Sequence, residues 1–225
     1  MSVKDILRSK PGLKRFTALV YSAFGHNTSV LKGNDNIVEL SGTFRKGCKI
    51  RVYGSNNHIR FAESAFAIRN VKVSVYGNNN TIEVGRDFAS DGLTFSIEDD
   101  NNSIVLGANC HGGGASELAA IEGTSIEIGD NCMMSANITV RTGDSHSVLD
   151  AATGERINQS RSVKIGPHVW IGNTVLIFKG TEIGTNSIVA GGSVVTGKLF
   201  PNNCIIGGNP AKVIKEGVNW CSERK

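Results

Sequence analysis

Short apolar runs recur along this chain at a nearly constant distance, each preceded by an Asn-rich cluster. The units read Gly33-Asn-Asp-Asn-Ile-Val-Glu-Leu40, Gly54-Ser-Asn-Asn-His-Ile-Arg-Phe61, Gly77-Asn-Asn-Asn-Thr-Ile-Glu-Val84 and Asp99-Asp-Asn-Asn-Ser-Ile-Val-Leu106, and Glu122-Gly-Thr-Ser-Ile-Glu-Ile128 continues the series. Their first isoleucines, Ile37, Ile59, Ile82, Ile104 and Ile126, are 22, 23, 22 and 22 residues apart. Within each unit apolar and polar residues alternate for a few positions, the period of a strand with one buried face. From Ile165 the period tightens to six: Ile165, Ile171, Ile177, Ile183, Val189 and Val195, with Val169, Val175, Thr181, Ser187, Ser193 and Leu199 four positions after each.

A strand of this length cannot bury its aliphatic face alone, so the pattern predicts a solenoid in which three short strands make one triangular coil and inward Ile and Val stack from coil to coil. Repeated Asn at equivalent turns fits a ladder, since Asn tolerates the left-handed backbone region and bonds along the stack. The early period near 22 exceeds three hexapeptides, which predicts a short bulge or loop in each early coil. Residues 1–24 read as an amphipathic, basic helix that caps the first coil or touches a membrane surface, residues 25–216 as the solenoid, and 217–225 as a tail.

Composition agrees with strands and turns: aromatics are 6% of the chain and glycines number 27, against a hydrophobic content of 40%. A net charge of +4 with scattered basic residues gives little support to nucleic-acid binding. Five cysteines without a C-x-x-C pair argue against a zinc knuckle and against a secreted disulfide framework, which points to a reducing cytoplasm. No apolar run approaches the roughly 20 residues a membrane span needs.

The repeat is interrupted once. After Arg141-Thr-Gly-Asp-Ser-His-Ser147 a polar excursion, 141–162 overall, precedes the return of the repeat at Val163. Loops grafted on a rigid repeat carry function, and His146 at the root of this one suits proton transfer near neutral pH. Asp144, two residues before it, is a candidate to orient the imidazole. Gly166-Pro-His-Val-Trp-Ile-Gly-Asn173 then places Trp170 24 positions beyond His146, and Ile206-Gly-Gly-Asn-Pro-Ala-Lys-Val-Ile-Lys-Glu216 closes the solenoid.

These motifs resemble the hexapeptide-repeat, left-handed β-helix acetyltransferase family, tightly over about Ile126 to Glu216 and as repeat architecture before it. The closest resemblance is to O-acetyltransferases of capsular and surface polysaccharides, including those that modify sialic acids. The resemblance implies an all-β, left-handed parallel β-helix and a homotrimer with sites at subunit seams. It implies direct transfer from acetyl-CoA to a carbohydrate hydroxyl, with His146 as general base and Trp170 bordering the acyl site. It also implies a coenzyme A groove of Trp170, Asn173, Gly191 and Thr196, with Lys212 and Lys215 on the phosphates.

Other acceptors stay open, among them an amino sugar, an antibiotic or serine. A zinc hydratase of the γ-carbonic anhydrase type would need His111, His146 and His168 around one metal, and would leave the closing motif unexplained. Cys110-His111-Gly-Gly-Gly114 lacks the Gly-x-Ser-x-Gly elbow of a hydrolase, and its glycines predict a loop beside the acceptor. The remaining histidines, His26, His58 and His168, read as structural. A cytoplasmic enzyme working at the inner membrane face is the expectation.

Overall fold

The computed structural model describes residues 11–40 and 42–224. Strands come in threes, and from coil to coil each strand pairs in parallel with the strand three later in the chain, giving sheets of eight, eight and nine strands of which only the last strand is antiparallel. Eight triangular coils therefore stack into a parallel β-helix, as the repeat predicts. The first face runs from Thr28–Lys32 to Val194–Val195, the second from Ile37–Glu39 to Leu199–Phe200, and the third from Phe44–Lys46 to Cys204–Gly208. A final strand, Ala211–Glu216, turns back antiparallel on Cys204–Gly208 and ends the third face.

Inside the prism one aliphatic side chain from each coil rests on the next. Ile59, Ile82, Ile104 and Ile126 are in mutual register and buried, and Val163 continues their column. The first member departs from the expected series. Val38, not Ile37, lies opposite Ile59, and Ile37 is 51% exposed. A shift of one residue exchanges the two faces of a strand, and this one keeps Glu39 outside while Val38 and Leu40 pack on the core. The last coil differs similarly: Phe200 is buried beneath Ile183, and Leu199 is 77% exposed.

The early coils are longer without the bulge or loop that their period suggests. Their first-face strands, such as Lys49–Tyr53, Lys72–Tyr76 and Leu93–Glu98, have five or six residues, whereas Leu176–Ile177 and Val194–Val195 have two. The extra residues stay in ladder register, so they widen the coil and are not extruded. The Asn ladder is present at the corner that follows. Asn57, Asn80 and Asn102 are buried, and the Oδ1 of Asn36, Asn57, Asn80 and Asn102 accepts the backbone N–H one coil on, from Asn57, Asn80, Asn102 and Thr124, at 2.8–3.0 Å. Each buried donor thereby gains a partner that the strand ladder does not supply at the corner.

A helix, Pro11–Ala23, lies against the first third-face strand. Its proline occupies the first helical position, where a missing N–H is harmless. Ser22 anchors it, donating to the Thr43 carbonyl and accepting from the Arg45 N–H, both at 3.1 Å. The expected helix over 1–24 falls partly outside the described residues, since 1–10 are not among them. Among the described residues no helix is long and apolar enough to cross a membrane.

Candidate active site

The sixth coil departs from the regularity of the others. Its first-face strand ends at Arg141, its second-face strand starts at Val163, and the intervening residues leave the edge between these faces as a folded excursion. Residues 148–157 form a small hairpin, with an antiparallel bridge between Leu149 and Arg156 and Ile157 donating to the Val148 carbonyl at 2.9 Å. Its root is tight. A Cβ on Gly143 would stand 2.1 Å from Ser160 Oγ and 2.5 Å from Ile121 Cδ1, so only glycine lets the two limbs close against the prism.

Two ion pairs from neighbouring coils brace the excursion. Lys179, at the same edge of the seventh coil, pairs with Asp144 and also donates to the Asn158 carbonyl at 2.9 Å. Glu122, at that edge of the fifth coil, takes Arg156 at 2.8 Å and the Ser160 hydroxyl at 2.8 Å. The Lys179 ammonium, helped by the Asn158 amide, holds the Asp144 carboxyl below the usual range despite partial burial. For Glu122 the Ser160 hydroxyl and then Arg156 have the same effect.

His146 lies exposed in this braced loop, and among the described residues its imidazole has no hydrogen-bond partner. Asp144 does not supply the orienting contact considered from sequence, because its carboxylate is taken by Lys179 and Asn158. Ser145, directly before His146, sits in the left-handed region at φ 63°, a conformation unusual for a residue other than Gly, Asn or Asp.

The same coil carries Trp170, on a two-residue third-face strand between Met133 and Ile188. The corner positions on either side of it also break the pattern. His168 stands in the left-handed region where the adjacent coils have Asn131 and Asn186, and Thr174 does so where they have Asn137 and Gly192. A β-branched residue there carries strain of order 1 kcal/mol, and such strain gathers at functional sites. The tail covers this region: Trp220 stacks on the His168 ring at 4.5 Å, lies 6.0 Å from Trp170, and donates to the His168 carbonyl at 2.8 Å. His168 also bonds Asn186 Oδ1 at 3.0 Å, so this histidine has the structural partners that the sequence left unseen.

The residues expected at the site divide between two sides of the prism. Trp170 lies on the third face, Asn173 and Gly191 stack at its edge with the first face, and Lys212 and Lys215 lie in the antiparallel strand that ends it. His146 and Thr196 lie at the opposite edge, between the first and second faces. Asn173 and Gly191 are close-packed: a Cβ on Gly191 would meet the Asn173 carbonyl at 3.1 Å, and one on Gly172 the Gly191 nitrogen at 2.6 Å. Lys212 and Lys215 are exposed and make no ion pair among the described residues.

Cys110-His111-Gly-Gly-Gly114 forms no loop. His111–Gly112 is a third-face strand between Ala89–Ser90 and Met133–Met134, and these small residues floor a groove of about 470 Å³ beside Trp170's strand. Among the described residues of one chain, no three His, Cys, Asp or Glu side chains meet as a metal cluster.

No family model matches the chain. A polysialic acid O-acetyltransferase of Escherichia coli O1:K1 / APEC is 32% identical over 93 residues, which are 41% of this chain and 30% of that protein. The solved polysialic acid O-acetyltransferase OatWY superposes with a TM-score of 0.80 at 29% identity, covering 88% of this chain and 93% of that one. In local sequence and in overall fold the chain is similar to the hexapeptide-repeat β-helix acetyltransferases. The polySia-specific acetyltransferase NeuO is similar over the same 88% share, with a TM-score of 0.75 at 27% identity and 81% of its own chain covered. The curated match is local, spanning less than a third of that relative's length, whereas the structural likeness covers 88% of this chain.

Proposed function

We propose that this protein is an acetyl-CoA-dependent O-acetyltransferase acting on a carbohydrate hydroxyl, with a sialic-acid-containing glycan as the acceptor. The supporting observation is the concentration of irregularity in the sixth coil, where a braced excursion bears His146 and strained corners flank Trp170. The two adjacent coils have Asn or Gly at those corners. The acceptor class rests on the similarity to polysialic acid O-acetyltransferases.

In this reading the His146 imidazole takes the acceptor proton as the hydroxyl oxygen attacks the thioester carbonyl. The C–S bond breaks, the thiolate leaves as coenzyme A, and the proton returns to its sulfur. A backbone N–H or a nearby hydroxyl stabilises the oxyanion, and no acyl-enzyme forms. Trp170 walls the acyl group, Asn173, Gly191 and Thr196 line the pantetheine, and Lys212 and Lys215 meet the phosphates as unpaired cations. The division of these residues between two sides of the prism supports a cyclic trimer in which the excursion of one copy meets the third-face side of the next.

The test is thiol release from acetyl-CoA with oligosialic acid, galactoside and amino-sugar acceptors, run beside His146→Ala. Release that depends on the sialic acceptor and falls about a hundredfold or more in the variant is expected. A protein that binds no coenzyme A, or a His146→Ala variant with full activity, contradicts the reading.

A further inference from the structure

The two parts of the chain carry opposite charge. Residues 11–76 contain ten Lys or Arg and three Asp or Glu, a net of +7, while residues 77–225 contain 11 and 16, a net of −5. The basic part is the helix, the first two coils and the strand that opens the third. On these coils Lys32, Lys46, Lys49, Arg51, Arg69 and Lys72 are exposed. Lys49 and Lys72 even lie directly opposite each other in the ladder, an unfavourable pairing that persists at this end.

The helix at the same end is turned opposite to an ordinary surface helix. Its buried side is small and polar: Lys14, Ala18 and Ser22, spaced i, i+4 and i+8, face the coil, with Lys14 and Arg15 held by Glu63. Its large apolar residues face outward. Leu13, Phe16, Val20 and Phe24 make one exposed stripe with Leu19 beside it, and Phe16, Leu19 and Phe24 are 64%, 66% and 81% exposed. The apolar surface continues into an opening of about 650 Å³ between helix and first coil, lined by Phe16, Leu19, Leu31, Val38 and Leu40. A helix with its apolar stripe outward has nothing to gain from water.

We infer that this end of the solenoid docks on an anionic lipid bilayer. The apolar stripe enters the boundary between headgroups and acyl chains, and the basic coils face the anionic headgroups. Two weak signals of this kind together give reversible surface binding. A soluble polyanion matches the charge and leaves the apolar stripe uncovered. A second copy would cover the stripe, and an isologous contact would bring two strongly basic ends together. The inference holds whatever the acceptor is.

The experiment is flotation of the full-length protein with vesicles of phosphatidylcholine alone and of phosphatidylcholine with about one-third phosphatidylglycerol. Binding to the anionic vesicles about tenfold or more tighter than to the neutral ones is expected, reversed by salt near 0.5 M. The double variant Phe16→Ser, Leu19→Ser, both positions being exposed, loses about tenfold or more in partitioning while its melting temperature and assembly size stay unchanged. Reversal of charge in Lys49→Glu, Lys72→Glu removes the preference for the anionic vesicles. A wild-type protein that fails to float with anionic vesicles at low salt overturns the inference. So does a smaller assembly size for the serine variant, which assigns the stripe to a second copy.

Discussion

The side-chain nitrogen of Asn158 donates to the backbone oxygen of His146 at 2.8 Å across the base of the excursion. The same nitrogen donates to Asp144 Oδ2 at 2.8 Å, and Asn158 Oδ1 accepts from the Val148 N–H at 2.8 Å and from Arg156 Nε at 3.1 Å. All four bonding positions of the amide are thus used within one loop. The expected outcome for Asn158→Ala is a fall of about ten- to a hundredfold in kcat for thiol release with little change in KM for acetyl-CoA, because the loop loses its geometry and the coenzyme groove does not. Asn158→Asp, which removes both donors, behaves the same way. An unchanged kcat in both variants shows that the loop keeps His146 in place by other means.

The braces at Asp144 and Glu122 give the excursion a defined pH response. Both carboxyls titrate below their ordinary range in the folded protein, the first because of Lys179 and the second because of Ser160 and Arg156. A depressed folded-state pKa stabilises the loop at every pH above the unfolded value, and this contribution disappears as the pH falls through the folded one. Amide protection over residues 143–161 should therefore be flat from about pH 8 to about pH 5 and decline below about pH 4. Asp144→Asn removes part of that acid transition. Protection that instead fades as the pH rises contradicts the assignment.

Much of the architecture was legible because each coil must return one aliphatic side chain to the same column. Ile59, Ile82, Ile104 and Ile126 could not drift without burying Arg60, Glu83 or Glu127. At the open end that constraint weakens, and the chain slips by one residue so that Val38 replaces Ile37. The excursion and His146 were visible as a break in the repeat. Lys179 and Glu122 were not, since they meet the loop across 35 and 34 residues of sequence through the stacking of edges. Trp220 was also missed: a lone aromatic in a tail gives no periodic signal, and its place over His168 depends on the final antiparallel strand. The largest gap was the separation of His146 from Trp170, because linear spacing does not say which side of a prism a residue occupies.

The buried Asn column gives a stability test independent of activity. Asn80→Ala deprives the buried Asn102 N–H of its 2.8 Å acceptor and the Asp99 carbonyl of a 3.0 Å donor. A loss of about 2–3 kcal/mol in unfolding free energy is expected. Asn79→Ala, at the neighbouring exposed position with φ 58°, forfeits a solvated bond and adds mild left-handed strain, about 1 kcal/mol in all. Denaturant unfolding of the pair measures the difference. Equal losses would mean that the column satisfies its buried donors no better than solvent does.

The positions of His146 and Trp170 on different sides of the prism make a subunit-mixing experiment decisive. If one site takes its histidine from one copy and its tryptophan from the next, His146→Ala and Trp170→Ala spoil different partners in each seam. Mixed assemblies of the two variants then contain seams in which both residues are native. Random mixing of equal amounts in a closed ring makes about one seam in four of this kind. The unfractionated mixture should therefore recover about a quarter of wild-type thiol release, while each variant alone remains near background. A site formed within one chain would recover nothing, because every chain carries one of the two substitutions. Inactive mixtures of unchanged assembly size would thus refute the seam, and with it the reading that these two residues serve one reaction across a subunit boundary.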